Sequence, residues 1–528
     1  MSREELKQRV AEAIGERDFL RAERLCHEAE GGIPAPEIHF IRGVLCSEQG
    51  DLQKAQSFLK QACEALPERG DVAYNYGVVL QKTGCLSEAV QVWEKATALD
   101  PQNAAAWVNL TLGIVLLGEK DKAEDRYRKA IARHPTNRDL LYNYANFLYR
   151  LGHLTESESV FRKLLEIYRE DASGWINLGM TLKALKQFDK SEACYRQAIA
   201  LNDTANEARA YFNLANLLLQ EERWREGFKA YEWRLKLPSA IESPWGIPAW
   251  RNDLPQGSRV LLWNDQGLGD AIMFLRFAPL LAEKGCKLFV FAQKSLQTLA
   301  ATASCIEAVF SPLDDPQPMD ACLPLCSLPH ALGLASMDVW RGPYLRPPEK
   351  SVFPFDKNAS ASKRIGIVWA GNPGHVNDAN RSLRFPELAP LLDMPGIEWF
   401  SLQVGRSVAE LEASPYHDRV KDLSPCLTDF SATASVIAEL DLLITVDTAP
   451  AHLAGALGKP VWTLLPAVGT DWRWKTEGNT TFWYPSMRLF RQKNAGEWDS
   501  VIAEMAECLQ TMFPGISDRR TICSGASR

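Results

Sequence analysis

At 528 residues the chain is longer than one hydrophobic core serves, so roughly two to four domains are expected. Hydrophobic residues make up 46% and charged residues 24%, the balance of a soluble globular protein. A formal net charge of −7 excludes a general nucleic-acid binder, and no apolar run of about 18 residues reads as a membrane span. The start, MSREELKQRV, is a charged helix rather than a signal peptide, so the cytoplasm is the expected compartment. The twelve cysteines are scattered and form no CxxC pair, so no zinc site is expected and most should be small buried hydrophobes.

The first part of the chain repeats every 34 residues. Gly50, Gly84, Gly118 and Gly152 keep that interval, as do Ala55, Ala89 and Ala123, and again Pro67, Pro101 and Pro135. The clearest unit is GDVAYNYGVVLQKTGCLSEAVQVWEKATALDPQN, from Gly70 to Asn103. It divides into two amphipathic helices with a glycine-marked turn between them and a proline stop. Small residues (Gly77 with Ala89, Gly179 with Ser191) allow paired helices to approach, while Trp107, Tyr127, Trp175 and Tyr195 should fill the gaps between units. Units start near 36, 70, 104 and 172; the one over 138–171 lacks its proline but keeps its helices. Residues 1–35 and 206–240 read as degenerate capping units.

This spacing resembles the tetratricopeptide signature, and an α solenoid over residues 1–240 is the expected architecture. Asn75, Asn109, Asn143 and Asn177 recur at the same period and Asn213 follows 36 residues later. Such a column either grips the backbone of an extended peptide or caps and solvates the groove. The repeat-bearing O-linked N-acetylglucosamine transferases carry Asn at the corresponding position. That resemblance implies an acceptor groove for a protein partner.

From about Gly257 the periodicity changes. RVLLWND, KLFVFA and IEAVFSP alternate with helical stretches, which implies βαβ units and a parallel sheet over 241–350. The Pro-rich GPYLRPPEKSVFPF at 342–355 reads as a linker. A second series (RIGIVWAG, EWFSLQV, DLLITV, PVWTLLP) follows over 351–512, and 513–528 reads as a disordered tail. Two doubly wound α/β halves would place a cleft where the carboxyl ends of their strands face each other.

Three loops are candidates for lining that cleft. In QGLGDAIMF, Gly267 and Gly269 open a tight turn and Asp270 begins a helix, where it serves either as a cap or as a catalytic carboxylate. The loop WAGNPGHVNDANRSLRFPEL supplies Asn372, Arg381 and Ser382, a set suited to an anion or to solvent. In LLITVDTAPAHLAGALGKPVW, Asp447 and Thr448 stand at a strand-to-helix turn with Pro450 in the first helical turn. The amides of Thr448, Ala449 and Ala451 would form a phosphate site there. His452 is either a ligand contact or a core histidine. Gln403, after EWFSLQV, is placed to contact a nucleoside. Trp472 and Trp474 either stack on a ligand or pack a lid, with Arg473 between them as a second cation.

DTAPAHLAGALGKPVW resembles the D-T-G-x-x-H-L-x-A-A-L-G-x-P-V motif of the bacterial heptosyltransferases. The chain departs from it at Ala449 and at LLPAVGTDWRW. The resemblance implies the two-Rossmann GT-B fold, a nucleotide-sugar donor, and Asp270 of the Gly269-Asp270 pair as catalytic base. Repeats ahead of such a unit resemble the bacterial repeat-linked glycosyltransferases, some of which modify flagellin. The resulting expectation is inverting, metal-independent sugar transfer to a Ser/Thr hydroxyl of a protein acceptor, with no cofactor beyond the donor and homo-oligomers open. Three alternatives stand beside it: a catalytically degenerate scaffold, an enzyme acting on a glycan or lipid, and another nucleotide reaction such as epimerisation.

Overall fold

The computed structural model describes residues 2–355, 363–375 and 377–513; the expected tail lies, beyond Phe513, outside the described residues. The chain forms two compact units, Met1–Cys194 and Tyr195–Arg528. Among the described residues no helix is long and apolar enough to cross a membrane.

Helices of the repeats come in pairs, beginning with α1 (Arg3–Gly15) and α2 (Phe19–Glu28). There follow α3 (Ala35–Gln49) with α4 (Leu52–Ala65), α5 (Gly70–Lys82) with α6 (Leu86–Leu99), and α7 (Ala104–Leu116) with α8 (Lys120–Arg133). Next come α9 (Arg138–Leu151) with α10 (Leu154–Ile167), and α11 (Ala172–Ala184) with α12 (Phe188–Ala200). The periodic glycines sit at the turns within pairs with φ of +84°, +85°, +80° and +82° at positions 50, 84, 118 and 152, a conformation that penalises any Cβ. Gly77 serves packing instead: a Cβ there would lie 2.5 Å from Trp93 Nε1. Side chains of Asp18, Asp51, Asn103, Asn137 and Asp171 accept from the amide three residues on, each cap contributing about 1 kcal/mol. Trp107, Tyr127 and Tyr195 are buried as expected, whereas Trp175 is half-buried.

The second unit begins with α13 (Glu207–Gln220) and α14 (Trp224–Tyr231), which the repeat periodicity assigns to the array ending at 240. Aromatic packing explains why they group with the α/β part. Phe228 and Tyr231 meet the Trp472 ring edge-on at 6.0 and 6.4 Å, and Trp224 meets Trp483 at 6.2 Å. Just beyond α14, the buried Arg234 guanidinium donates to Asp265 Oδ2 (2.7 Å), Ser327 Oγ (2.7 Å) and Glu232 Oε1 (2.9 Å).

The first half holds a four-stranded parallel sheet, ordered β3-β2-β1-β4. Its strands are β1 (Arg259–Trp263), β2 (Lys287–Phe291), β3 (Ile306–Phe310) and β4 (Ala321–Pro324). The second half holds a six-stranded parallel sheet, ordered β10-β9-β8-β5-β6-β7. Its strands are β5 (Lys363–Val368), β6 (Ile397–Ser401), β7 (Val420–Asp422), β8 (Leu442–Val446), β9 (Val461–Leu465) and β10 (Met487–Arg491). All pairings are parallel. A solenoid followed by a GT-B-like α/β unit is the architecture. The linker is docked rather than free, since the Tyr344 amide donates to the Ala456 carbonyl and the Tyr344 hydroxyl to the Ile272 carbonyl.

Candidate active site

A cavity of about 720 Å³ is lined by the loops at the carboxyl ends of both sheets. From the first half come Gly267, Gly269 and Asp270; from the second come Asn372, Arg381, Gln403, Asp447, Thr448, Ala449, His452 and Arg473. Chain reversal after β1 leads into α15 (Leu268–Phe274), where Asp270 is the third residue and its Oδ2 accepts from the Gly267 amide at 3.0 Å. After β8 the chain enters α17 (Ala449–Ala456), which follows α16 (Phe430–Ala438). The two turns touch. A Cβ on Gly269 would lie 2.9 Å from His452 Cδ2 and 3.4 Å from Ala449 Cα, so only glycine fits without a shift.

Arg473 closes the arrangement. Its guanidinium donates to Asp270 Oδ1 and, at 2.8 Å, to Asp471 Oδ1, and its central carbon lies 4.5 Å over the Trp472 ring. The Asp270 carboxyl is drawn upward by burial and back down by the Arg473 charge. Each of its oxygens has one donor, which leaves acceptor capacity on both. Arg381 Nη1 donates to the Asp447 carbonyl at 3.0 Å and its Nε to Asp378 Oδ1 at 3.2 Å, so this cation braces the β8–α17 turn.

Several expected roles change. Gln403 lines the cavity, but its Oε1 accepts from the Trp369 and Ala370 amides and its Nε2 donates to the Ala370 and Val404 carbonyls. It is a brace between β5 and β6, with no polar atom left over for a nucleoside. Ser382 is outside the cavity lining; its hydroxyl accepts from the Gly371 amide and donates to Asp378 Oδ1. Trp472 and Trp474 are buried, the first under α14 and the second stacked on His452 at 5.3 Å. Neither lines the cavity. The Ala451 amide donates to the Thr448 carbonyl, so of the three expected residues only Thr448 and Ala449, at the start of α17, line the cavity. In the Asn column, Asn177 is buried and donates to Tyr142 Oη (2.9 Å) and Asn146 Oδ1 (2.8 Å). Asn75 and Asn213 donate to the carbonyls of Asp71 and Arg209 and are half-buried, as are Asn109 and Asn143; Asn213 belongs to the second unit.

Asp471 and Asp378 were not legible as site residues. Each looks like an ordinary loop aspartate, and only its position two or three residues from an arginine hints at a role.

Tetratricopeptide repeat families match residues 47–111, 117–178 and 172–204, and the glycosyltransferase family 9 (heptosyltransferase) family matches residues 412–468, spanning β7 to β9 and α17. The chain pairs matches to tetratricopeptide repeats with a match to glycosyltransferase family 9. It is 26% identical over 337 residues to Protein FlbA of Caulobacter vibrioides, a match covering 57% of this chain and 55% of that protein. The chain thus spans about half the length of the curated relative it matches. Among solved structures, the MamA protein shares 19% identity at a TM-score of 0.31, covering 33% of this chain and 94% of its own. A tetratricopeptide repeat protein from Parabacteroides merdae shares 20% at a TM-score of 0.34, covering 38% of this chain and 79% of its own.

The Asp447 carboxyl is pushed up to about 6, first by burial and then by the neighbouring Asp471 charge. It is neutral below that pH and anionic above it. Because this value lies above the ordinary carboxylate range, its penalty on folding is full above about pH 6 and is relieved as the pH falls toward that range. The same sign governs an anionic ligand. Affinity for a diphosphate anion at this site should rise several-fold as the pH falls from about 7.5 to about 5.5, because a like charge beside α17 is lost. Asp447→Asn should flatten that dependence in calorimetry.

Proposed function

We propose that this chain transfers a sugar from a nucleotide-sugar donor to a hydroxyl of a protein acceptor held by the repeats. The reading is carried by one observation: the Gly269–Asp270 turn of one half closes on the first turn of α17 in the other, over a single cavity. That juxtaposition sets a carboxylate beside a helix N-terminus and Arg473, the parts needed to take a proton and to receive a leaving diphosphate.

In the proposed step the acceptor hydroxyl gives its proton to Asp270 as its oxygen attacks the anomeric carbon. The bond from that carbon to the diphosphate oxygen breaks, and its electron pair leaves with the diphosphate. One displacement inverts the anomeric centre. Charge developing on the leaving group falls to Arg473, the Thr448–Ala449 end of α17 and the turn braced by Arg381. Arg473 can serve because Asp471 keeps it in place when Asp270 takes up the proton.

Charge balance of this kind needs no metal. Among the described residues, the one group of three acidic, His or Cys side chains with ligand atoms within 4.8 Å of one another is Glu124, His153 and Glu156 in the repeats, and none of these lines the cleft. Activity is expected to persist in EDTA; its loss, with restoration by manganese or magnesium, would contradict metal independence.

The acceptor class is tested by incubating the full chain with labelled nucleotide sugars and proteins of its native cell. Label on Ser or Thr of a protein, with the anomeric configuration opposite to the donor's, is the expected result. Label confined to glycan or lipid would move the acceptor to that class.

A further inference from the structure

His452 is held on three sides. Trp474 stacks on its ring at 5.3 Å, its Nδ1 lies 3.2 Å from the Tyr484 hydroxyl, and its Cδ2 edge abuts the Gly269 turn. His452 lines the cavity, and with Nδ1 taken by Tyr484 the ring nitrogen left for a ligand is Nε2, bonded to Cδ2. One helical turn on, Gly455 leaves space for Tyr484: a Cβ there would lie 2.4 Å from the tyrosine Cγ. The glycine of α17 thus admits the residue that meets its histidine.

Behind Tyr484 stands Arg276. Arg276 is 6% exposed, and none of the three buried nitrogens of its guanidinium has a hydrogen-bond acceptor among the described residues. It faces the rings of Trp340, Tyr484, Trp483 and Tyr344 at 5.2, 5.3, 5.5 and 5.8 Å. A buried cation without an anionic partner is costly, and ring faces offset only part of that cost. Its charge does, however, act on the tyrosine and histidine beside it.

The proton positions follow from the partners. Tyr344 donates its hydroxyl proton to the Ile272 carbonyl at 3.0 Å. The Tyr484 proton then has two acceptors, His452 Nδ1 at 3.2 Å and the Tyr344 oxygen at 3.5 Å. The imidazole nitrogen is both nearer and the stronger acceptor. A positive charge against the phenol ring makes its O–H a better donor and opposes protonation of the imidazole.

We propose that Tyr484, backed by Arg276, is a positioning residue that fixes His452 as the tautomer protonated at Nε2, so that an N–H faces the cleft. Burial, with Arg473 and Arg276 nearby, pushes His452 down to about 3, so the ring stays neutral at working pH and has one proton to place. An N–H there would donate to an oxygen of the leaving diphosphate. That use rests on the donor-site reading, whereas the tautomer does not.

The test is a long-range proton–nitrogen correlation spectrum of the full chain with its histidines labelled by ¹⁵N, His452 being assigned by its loss in His452→Gln. Wild type should show a bare Nδ1 and a protonated Nε2 at His452. Tyr484→Phe keeps the ring and removes the hydroxyl, so both nitrogens should move toward the values of a tautomer mixture. In that variant turnover at saturating donor should fall roughly tenfold with donor affinity nearly unchanged, the size by which outer partners of a functional histidine commonly matter. A wild-type ring protonated at Nδ1 overturns the proposal, and that spectrum decides even if Tyr484→Phe does not fold. An unchanged Nε2–H pattern in Tyr484→Phe overturns it too. An Nε2–H ring in a protein that consumes no nucleotide sugar supports the tautomer assignment while removing the donor reading.

Discussion

Asp270→Asn should slow sugar transfer about 10²–10⁴-fold while leaving fold and donor affinity close to wild type, the range expected for loss of a positioned base. The structure separates this effect from a helix-capping effect. Asp270 also accepts from the Gly267 amide, so a skeptic could assign it to the start of α15 alone. Asn at this third helical position retains an oxygen for that amide. Arg473 keeps Asp471 as its counter-charge, so the substitution does not strand a buried cation. A capping role therefore yields little change, and a base yields a large one. Single-turnover transfer measured with donor in excess distinguishes them; a near-normal rate would take Asp270 out of the chemistry.

Removal of residues 1–170 should abolish transfer to protein while donor binding and slow donor hydrolysis persist. Removal of 1–240 should cost donor binding as well. The contrast comes from α13 and α14, which carry Trp224, Phe228 and Tyr231 onto the segment that holds Arg473. Cutting at 240 also deletes Arg234 and leaves Asp265 buried without its charge partner, a loss of about 3–5 kcal/mol. Cutting at 170 leaves α11 to α14 as a cap. Replacing Asn109 and Asn143 by Ala should mimic the shorter deletion mildly. Asn177 is left out of that pair because Tyr142 and Asn146 already engage its amide. Calorimetry with nucleotide sugars and mass analysis of the acceptor read the two outcomes. Full-rate glycosylation by the 171–528 fragment would remove the repeats as the acceptor platform.

The repeats were legible because their glycines answer a backbone need: each stands at φ near +80° in a turn between paired helices, so glycine returns at positions 50, 84, 118 and 152 before Lys186 takes the same place at φ +59°. Strands β1, β2, β3, β5, β6, β8 and β9 were legible as β-branched and aromatic runs. The others were not. β4 has four residues ending in proline, β7 is the tripeptide Val420–Asp422, and β10 (MRLFR) carries half-buried arginines at its second and last positions. Pairing with an adjacent strand makes strands of them, which local propensity does not report.

In the site, Gly269, Asp270, Asp447 and Thr448 were found through their turns, since a strand end followed by a helix start restricts what can sit there. Gln403 and Trp472 were assigned to ligand because amide and indole groups are used in the same way by ligands and by cores. Only the donors and rings around them decide. Tyr484 gave no signal at all, because the glycine that admits it lies 29 positions earlier in the chain.

The central claim is that the cleft between the halves consumes a nucleotide sugar. Incubating the purified full chain and its Asp270→Asn variant with a panel of nucleotide sugars, and measuring nucleoside diphosphate release, tests it most directly. Slow release from one donor class by the wild type, faster release when acceptor protein is added, and strong loss of both in the variant are expected. Nucleotide binding without release from any donor, or equal release by the two proteins, would contradict it.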